Sequence, residues 1–174
     1  ARRQRQMCIR DRGLEILAEL AQRLAGYLQL QFVFCGNGAG RADLEQQCAG
    51  MGNVRFLDLQ PLERLSELLG LADIHLLPQR ADAADLVMPS KLTGMLASGR
   101  PVVATASPHT ELGRVVSQGA GCGLIVPPED AAAMANAVMA LADDPVLRAQ
   151  MGASGRAYAE RELDRDEVLG RFER

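Results

Sequence analysis

The sequence predicts an α/β fold, a doubly wound parallel sheet covered by helices on both faces. Two observations carry that expectation. Apolar runs of four to six residues alternate with segments of helical periodicity, the pattern of strands buried on both sides. The chain of 174 residues is 48% hydrophobic but only 3% aromatic and holds no Trp, so the core must be aliphatic. A charged content of 24% is ordinary for a packed domain.

The elements follow in order. After Gly13, Leu14, Leu17, Leu20, Ala21 and Leu24 recur at helical spacing. Residues 30–35 (LQFVFC) read as a buried strand ending at Gly36, residues 41–51 as a helix, and 53–57 (NVRFL) as a strand. Pro61 suits a first helical turn, which Leu62, Leu65, Leu68 and Leu69 continue. Residues 74–78 (IHLLP) form a strand stopped by Pro78, and a polar loop spans 79–89. Ser90 is expected to cap a helix carrying Leu92, Met95 and Leu96 and closed by Gly99. Strands at 101–105 and 122–126 flank a short helix at 110–118. Ala-rich helices are expected at 129–143 and 145–162, and a charged peripheral helix at 163–174.

Charge and composition narrow the function. The net charge of −3 divides into +4 over residues 1–12 and −7 over the rest. An acidic body without stacking aromatics argues against nucleic acid as a partner. Residues 1–12 do not share the pattern of the body and are read as a disordered or foreign segment, with the domain proper at 13–162. No apolar run of 18 residues exists and the first residues are polar, so neither a spanning helix nor a secretory signal is expected. Cys8, Cys35, Cys48 and Cys122 show no paired spacing and read as reduced thiols. With two His in the chain, no His-based metal site is expected.

In a doubly wound sheet, ligands bind beyond the carboxyl ends of the strands, here after positions 35, 57, 78 and 105. Four constellations fall there. Gly36-Asn37-Gly38-Ala39-Gly40 stands between a strand and a helix, where glycine lets the backbone approach a ligand and the helix offers N–H groups to an anion. A dinucleotide fingerprint would require glycine at 41, where Arg41 stands, although Asp58 lies about 20 residues on, where an acidic ribose ligand would sit. Pro89-Ser90-Lys91-Leu92 opens a helix with the only lysine of the chain. A cation there opposes the helix dipole unless it shares an anionic group with the helix N–H groups. Ser107-Pro108-His109-Thr110-Glu111 follows the strand at 101–105; Thr110 or Ser107 can cap the next helix, or accept a sugar or ribose hydroxyl. Asp82 and Asp85, in the loop after Arg80, are too few for a metal site, and no nucleophilic triad is visible.

Residues 54–79 (VRFLDLQPLERLSELLGLADIHLLPQ), 89–113 (PSKLTGMLASGRPVVATASPHTELG) and 121–130 (GCGLIVPPED) together resemble the nucleotide-sugar-binding half of GT-B glycosyltransferases of the retaining family 4 type. The resemblance is nearest to transferases of colanic acid and related surface polysaccharides. It implies a Rossmann-like C-terminal half whose acceptor-binding N-terminal domain is missing, so that this fragment alone is inactive. It also implies a cytoplasmic enzyme, peripheral at the membrane if its acceptor is lipid-linked. The expected donor is a UDP- or GDP-type sugar and the acceptor a saccharide; neither cofactor nor metal is expected. Carried onto this sequence, Gly36 and Gly38 border the donor phosphates, Leu59 and Gln60 face the base, and Ser90, Lys91 and Leu92 hold the diphosphate. Lys91 acts as the catalytic cation, and Thr110 and Glu111 lie near the sugar or diphosphate. Many members carry two glutamates eight positions apart; the aligned positions here are Leu86 and Gly94, so another group must hold the ribose. The competing readings are a non-enzymatic nucleotide-binding module, an NAD-type dinucleotide domain and a sugar-nucleotide epimerase.

Overall fold

A computed structural model of the chain describes residues 13–81 and 89–163. Among these residues helices and strands alternate as expected: α1 (Glu15–Arg23), β1 (Phe32–Cys35), α2 (Arg41–Gln47), β2 (Val54–Leu57), α3 (Leu65–Leu71), β3 (His75–Leu77), α4 (Ser90–Ala97), β4 (Val102–Thr105), α5 (Glu111–Arg114), β5 (Gly123–Val126), α6 (Ala131–Asp143) and α7 (Pro145–Glu162). A 3₁₀ turn, Leu62–Arg64, leads into α3, and a π turn, Val115–Gly119, follows α5. The helix expected over 110–118 is therefore one α-helical turn and a wider one.

All the strand pairs are parallel. They form two ladders: β1 pairs with β2, and β4 lies between β3 and β5. The parallel strands and alternating helices are those of the α/β fold expected from the sequence. Apolar runs report burial, and both ladders are buried in common cores, but burial does not dictate which backbone pairs with which. Side chains of β4 point alternately to the two faces. Val103 joins Ile16, Leu20, Phe32, Val54, Met134 and Leu141 in a layer built with α1 and α6. Val102 and Ala104 join Leu92, Leu96, Leu112 and Ala159 in a layer built with α4, α5 and α7. Helices thus cover both faces, and every residue of β4 is fully buried.

The capping expectations fare unevenly. Thr110 caps α5, its Oγ1 accepting from the Gly113 N–H at 3.1 Å. Asp130 and Asp144, which the sequence reading does not name as caps, cap α6 and α7 through the N–H groups of Ala133 (2.8 Å) and Leu147 (2.9 Å), and Pro145 starts α7. Ser90 does not cap α4: Pro89 holds the cap position with extended backbone and Ser90 is the first helical residue. The fixed φ of proline ahead of the helix sets the chain's entry and displaces the serine by one position. Gly99 leaves α4 at φ +71°, the left-handed exit expected of it. The loop residues Asp82, Asp85 and Leu86, the segment 1–12 and the helix expected beyond Leu163 lie outside the described residues. Among those described, no helix is long and apolar enough to cross a membrane.

Candidate functional site

The glycine corner continues β1 by one residue. The Gly36 N–H donates to the Leu57 carbonyl at 3.1 Å, extending the β1–β2 ladder, and Gly36 then turns at φ +135°, a conformation that L side chains rarely adopt. The Arg41 N–H donates to the Gly38 carbonyl at 3.0 Å and starts α2. No side chain caps α2 at Gly40.

Arg41 organises this corner. Its Nη1 lies 3.0 Å from the Gly36 carbonyl oxygen, 2.7 Å from Asn37 Oδ1, 3.1 Å from the Leu57 carbonyl oxygen and 2.9 Å from Asp58 Oδ1. Its Nε donates to Glu45 Oε1 at 2.7 Å, and the guanidinium carbon lies 5.9 Å from the centre of the Phe56 ring. The Glu45 hydrogen bond is the largest of the influences raising its pKa, with the charges of Glu45 and Asp58 adding to it. A third glycine of a dinucleotide fingerprint could make none of these bonds. In the sequence Arg41 reads only as a missing glycine, because the clamp runs to carbonyls that only the fold brings near.

Beyond β2, Gln60 Nε2 donates to the Asp58 carbonyl at 2.9 Å, as does the Cys35 thiol at 3.1 Å. Leu59 is 70% exposed. Beyond β3, the Gln79 N–H donates to Thr105 Oγ1, and that hydroxyl donates to the Gln79 carbonyl at 2.8 Å. Gln79 Oε1 is a buried acceptor with no hydrogen bond, and only the fold reveals it. Lys91 is exposed in the first turn of α4. Leu92 is 2% exposed and packs in the core, and its N–H donates to the Pro89 carbonyl at 2.9 Å. Thr110 is buried with its hydroxyl engaged as donor to Ser107 and acceptor from Gly113; Glu111 beside it is exposed.

The structure therefore gathers Gly36, Gly38 and Gln60 about the end of the β1–β2 ladder. It sets Lys91 after β3 and Thr110 and Glu111 after β4. Gly94, in α4, has room for little more: a Cβ there would meet Leu69 Cδ1 at 3.1 Å. A cavity of about 200 Å³ lies on the helix side of the glycine corner, lined by Leu14, Glu15, Ala39, Gly40, Asp43, Leu44 and Gln47. None of the residues expected to bind the donor lines it. Burial pushes the Cys122 thiol up to about 11 and raises that of Cys48, which makes both poor nucleophiles. Among the described residues no group of three His, Cys, Asp or Glu side chains is placed to hold a metal.

The family model described as "Glycosyl transferases group 1" matches residues 6–144. A putative colanic acid biosynthesis glycosyl transferase of Escherichia coli, WcaI, is 39% identical over 162 residues, which are 92% of this chain and 39% of that protein. An alpha-D-kanosaminyltransferase of Streptomyces kanamyceticus is 30% identical over 145 residues, 81% of this chain and 36% of that one. The chain thus spans about two fifths of the length of these relatives. Among solved structures, Anabaena HepE in complex with UDP matches with a TM-score of 0.74 at 20% identity, over 93% of this chain and 45% of that one. The C-terminal domain of LpcC, a group 1 family protein of Francisella tularensis, matches with a TM-score of 0.70 at 17% identity, over 88% of this chain and 80% of that one. Likeness at these identities speaks for the Rossmann-like fold alone.

Proposed function

The chain belongs to the group 1 glycosyl transferases, and from that premise we propose that it is the donor-binding half of such an enzyme. It holds a nucleoside-diphosphate sugar, of UDP or GDP type, whose hexosyl unit passes to a saccharide hydroxyl in surface-polysaccharide assembly. The name of the 39%-identical relative supports the polysaccharide, and the UDP complex of HepE supports the donor class. The acceptor, saccharide or lipid-linked, is recognised by a second domain, and this half alone does not turn over. The reaction takes place in the cytoplasm, at the membrane face where the acceptor is lipid-linked.

The observation that carries the reading is Lys91, the only lysine in the chain, in the first turn of an eight-residue helix whose cap position supplies no side-chain hydrogen bond. As the anomeric bond breaks, the leaving diphosphate gains charge. A preorganised cation and helix amides aimed at that charge stabilise the transition state more than the ground state. The ammonium is a compact charge that suits phosphate oxygens without requiring a planar match. No metal enters this scheme.

Calorimetry with UDP and GDP on wild type and Lys91→Ala tests it. A charge-assisted hydrogen bond contributes roughly 1.5–3 kcal/mol, so the variant should bind about ten- to a hundred-fold more weakly. In the full-length enzyme the same change should lower turnover on the order of 10²–10³-fold. Equal binding by the two proteins would remove Lys91 from the site.

A further inference from the structure

Asp58 presents an unusual combination of a fixed backbone and an exposed side chain. Its carbonyl oxygen accepts two hydrogen bonds, from Cys35 and Gln60, yet its side chain is 81% exposed. Arg41 holds one carboxylate oxygen, Oδ1, at 2.9 Å, while Oδ2 makes no hydrogen bond among the described residues. Arg41 is itself anchored to both strand ends and to Glu45, so the carboxylate is oriented before any ligand arrives. Because Cys35 stands opposite Leu57 in the parallel ladder, the residues that follow, Gly36 and Asp58, leave the sheet side by side.

The charge of this corner decides what it can accept. Two carboxylates, Asp58 and Glu45, surround one guanidinium, so the free oxygen repels phosphate and attracts neutral hydrogen-bond donors. The element order is a strand, a glycine turn, a helix and a neighbouring parallel strand ending in an acid. In doubly wound nucleotide-binding sheets an acid at the end of the strand beside a glycine turn hydrogen-bonds a ribose hydroxyl, while the phosphates sit at a helix N-terminus.

Resting on the donor-nucleotide reading above, we propose that Asp58 is a nucleotide-binding residue, whose free oxygen accepts the vicinal ribose hydroxyls, and that Arg41 is its positioning residue. Both roles lie on the β1–β2 side of the site, away from the helix that carries Lys91.

Calorimetry on the 174-residue chain with UDP, GDP and their 2′,3′-dideoxy counterparts tests this with wild type, Asp58→Asn and Arg41→Lys. Wild type should bind a ribonucleotide about ten-fold more tightly than Asp58→Asn does. The two proteins should bind the dideoxy nucleotide equally, with unchanged melting temperatures. Arg41→Lys, which keeps the charge but loses the fork, should reproduce part of the ribonucleotide loss and none on the dideoxy compound. Equal ribonucleotide affinity in wild type and Asp58→Asn overturns the proposal. So does an equal loss on ribo- and dideoxynucleotides, which would assign Asp58 to the base or to folding. If wild type binds neither UDP nor GDP, the donor-binding reading itself falls and takes this role with it, a result distinct from either.

Discussion

At the scale of single residues, His75 gives the protein a defined acid sensitivity. It is 7% exposed, and its Nε2 lies 2.9 Å from Ser98 Oγ. That hydroxyl already donates to the Met95 carbonyl at 2.6 Å, so it can only accept from the ring, and the imidazole is the neutral Nε2–H tautomer. Burial first, and then the charge of Arg100, lowers its pKa to about 4. The unfolded chain binds this proton near pH 6.5, whereas the folded chain resists it until about 4. The stability owed to neutral His75 is therefore complete above pH 6.5 and is lost as pH falls toward 4, on the order of 3 kcal/mol in all. Denaturant midpoints measured from pH 7 to 4.5 should fall more steeply for wild type than for His75→Gln; parallel curves would refute the assignment. Glu129 carries a backbone effect of the opposite kind. It is exposed at φ 63°, a region unfavourable to L side chains. Glu129→Gly should raise stability by about 0.5–1 kcal/mol once the added freedom of the unfolded chain is counted, read as a shift in melting temperature.

At the scale of elements, helix packing sets the sign of a glycine substitution. Glycine inside a helix costs about 1 kcal/mol relative to alanine, so Gly152 and Gly155 in α7 weaken that helix taken alone. Both are fully covered. A Cβ at 152 would run into the Gly99 carbonyl, and one at 155 would come within 2.9 Å of Cys122 Cβ and 3.3 Å of Leu96 Cδ2. Close approach of α7 to the end of α4 depends on these two absent side chains. Gly152→Ala should destabilise by about 1–3 kcal/mol through overpacking. Gly70→Ala, in α3 with nothing within 4 Å of the added carbon, should stabilise by up to about 1 kcal/mol. Chemical denaturation of the two variants checks both signs, and a stabilised Gly152→Ala would contradict the packing. The same distinction marks what the sequence could reveal. Periodicity and capping residues place the helices and several of their ends, because those preferences are local. The glycine turn after β1 and the acid 22 residues beyond Gly36 were legible for the same reason. The Arg41 clamp, the orphan oxygen of Gln79 and the displacement of Ser90 by Pro89 were not, since each depends on groups that meet only after folding or on a one-residue contest at a helix end.

At the scale of the whole molecule, the two ladders are joined through side chains, and that division should appear in how the protein opens. β4 is hydrogen-bonded on both sides and Val102, Val103 and Ala104 are 0% exposed, whereas Val33 in β1 is 40% exposed and β1 pairs only with β2 among the described strands. Apolar runs do not foretell this difference, because which strands pair, and in what register, is a property of backbone pairs. Opening the β1–β2 ladder exposes less fully buried apolar surface than opening β4, so it should require less free energy. Four amides report the difference: those of Phe32 and Gly36, which donate to Asn53 and Leu57 at 2.8 and 3.1 Å, and those of Val102 and Ala106, which donate to Cys122 and Val126 at 3.0 Å each. Native-state hydrogen exchange should find Val102 and Ala106 protected to the level of global unfolding. Phe32 and Gly36 should exchange through a smaller opening with a weaker dependence on denaturant. Nucleotide held against Asp58 at the end of that ladder should slow Phe32 and Gly36 selectively, because a ligand stabilises only the states that bind it. If all four amides exchange at one rate with and without UDP or GDP, the ladders unfold as a single unit and the weaker one does not carry the ribose site.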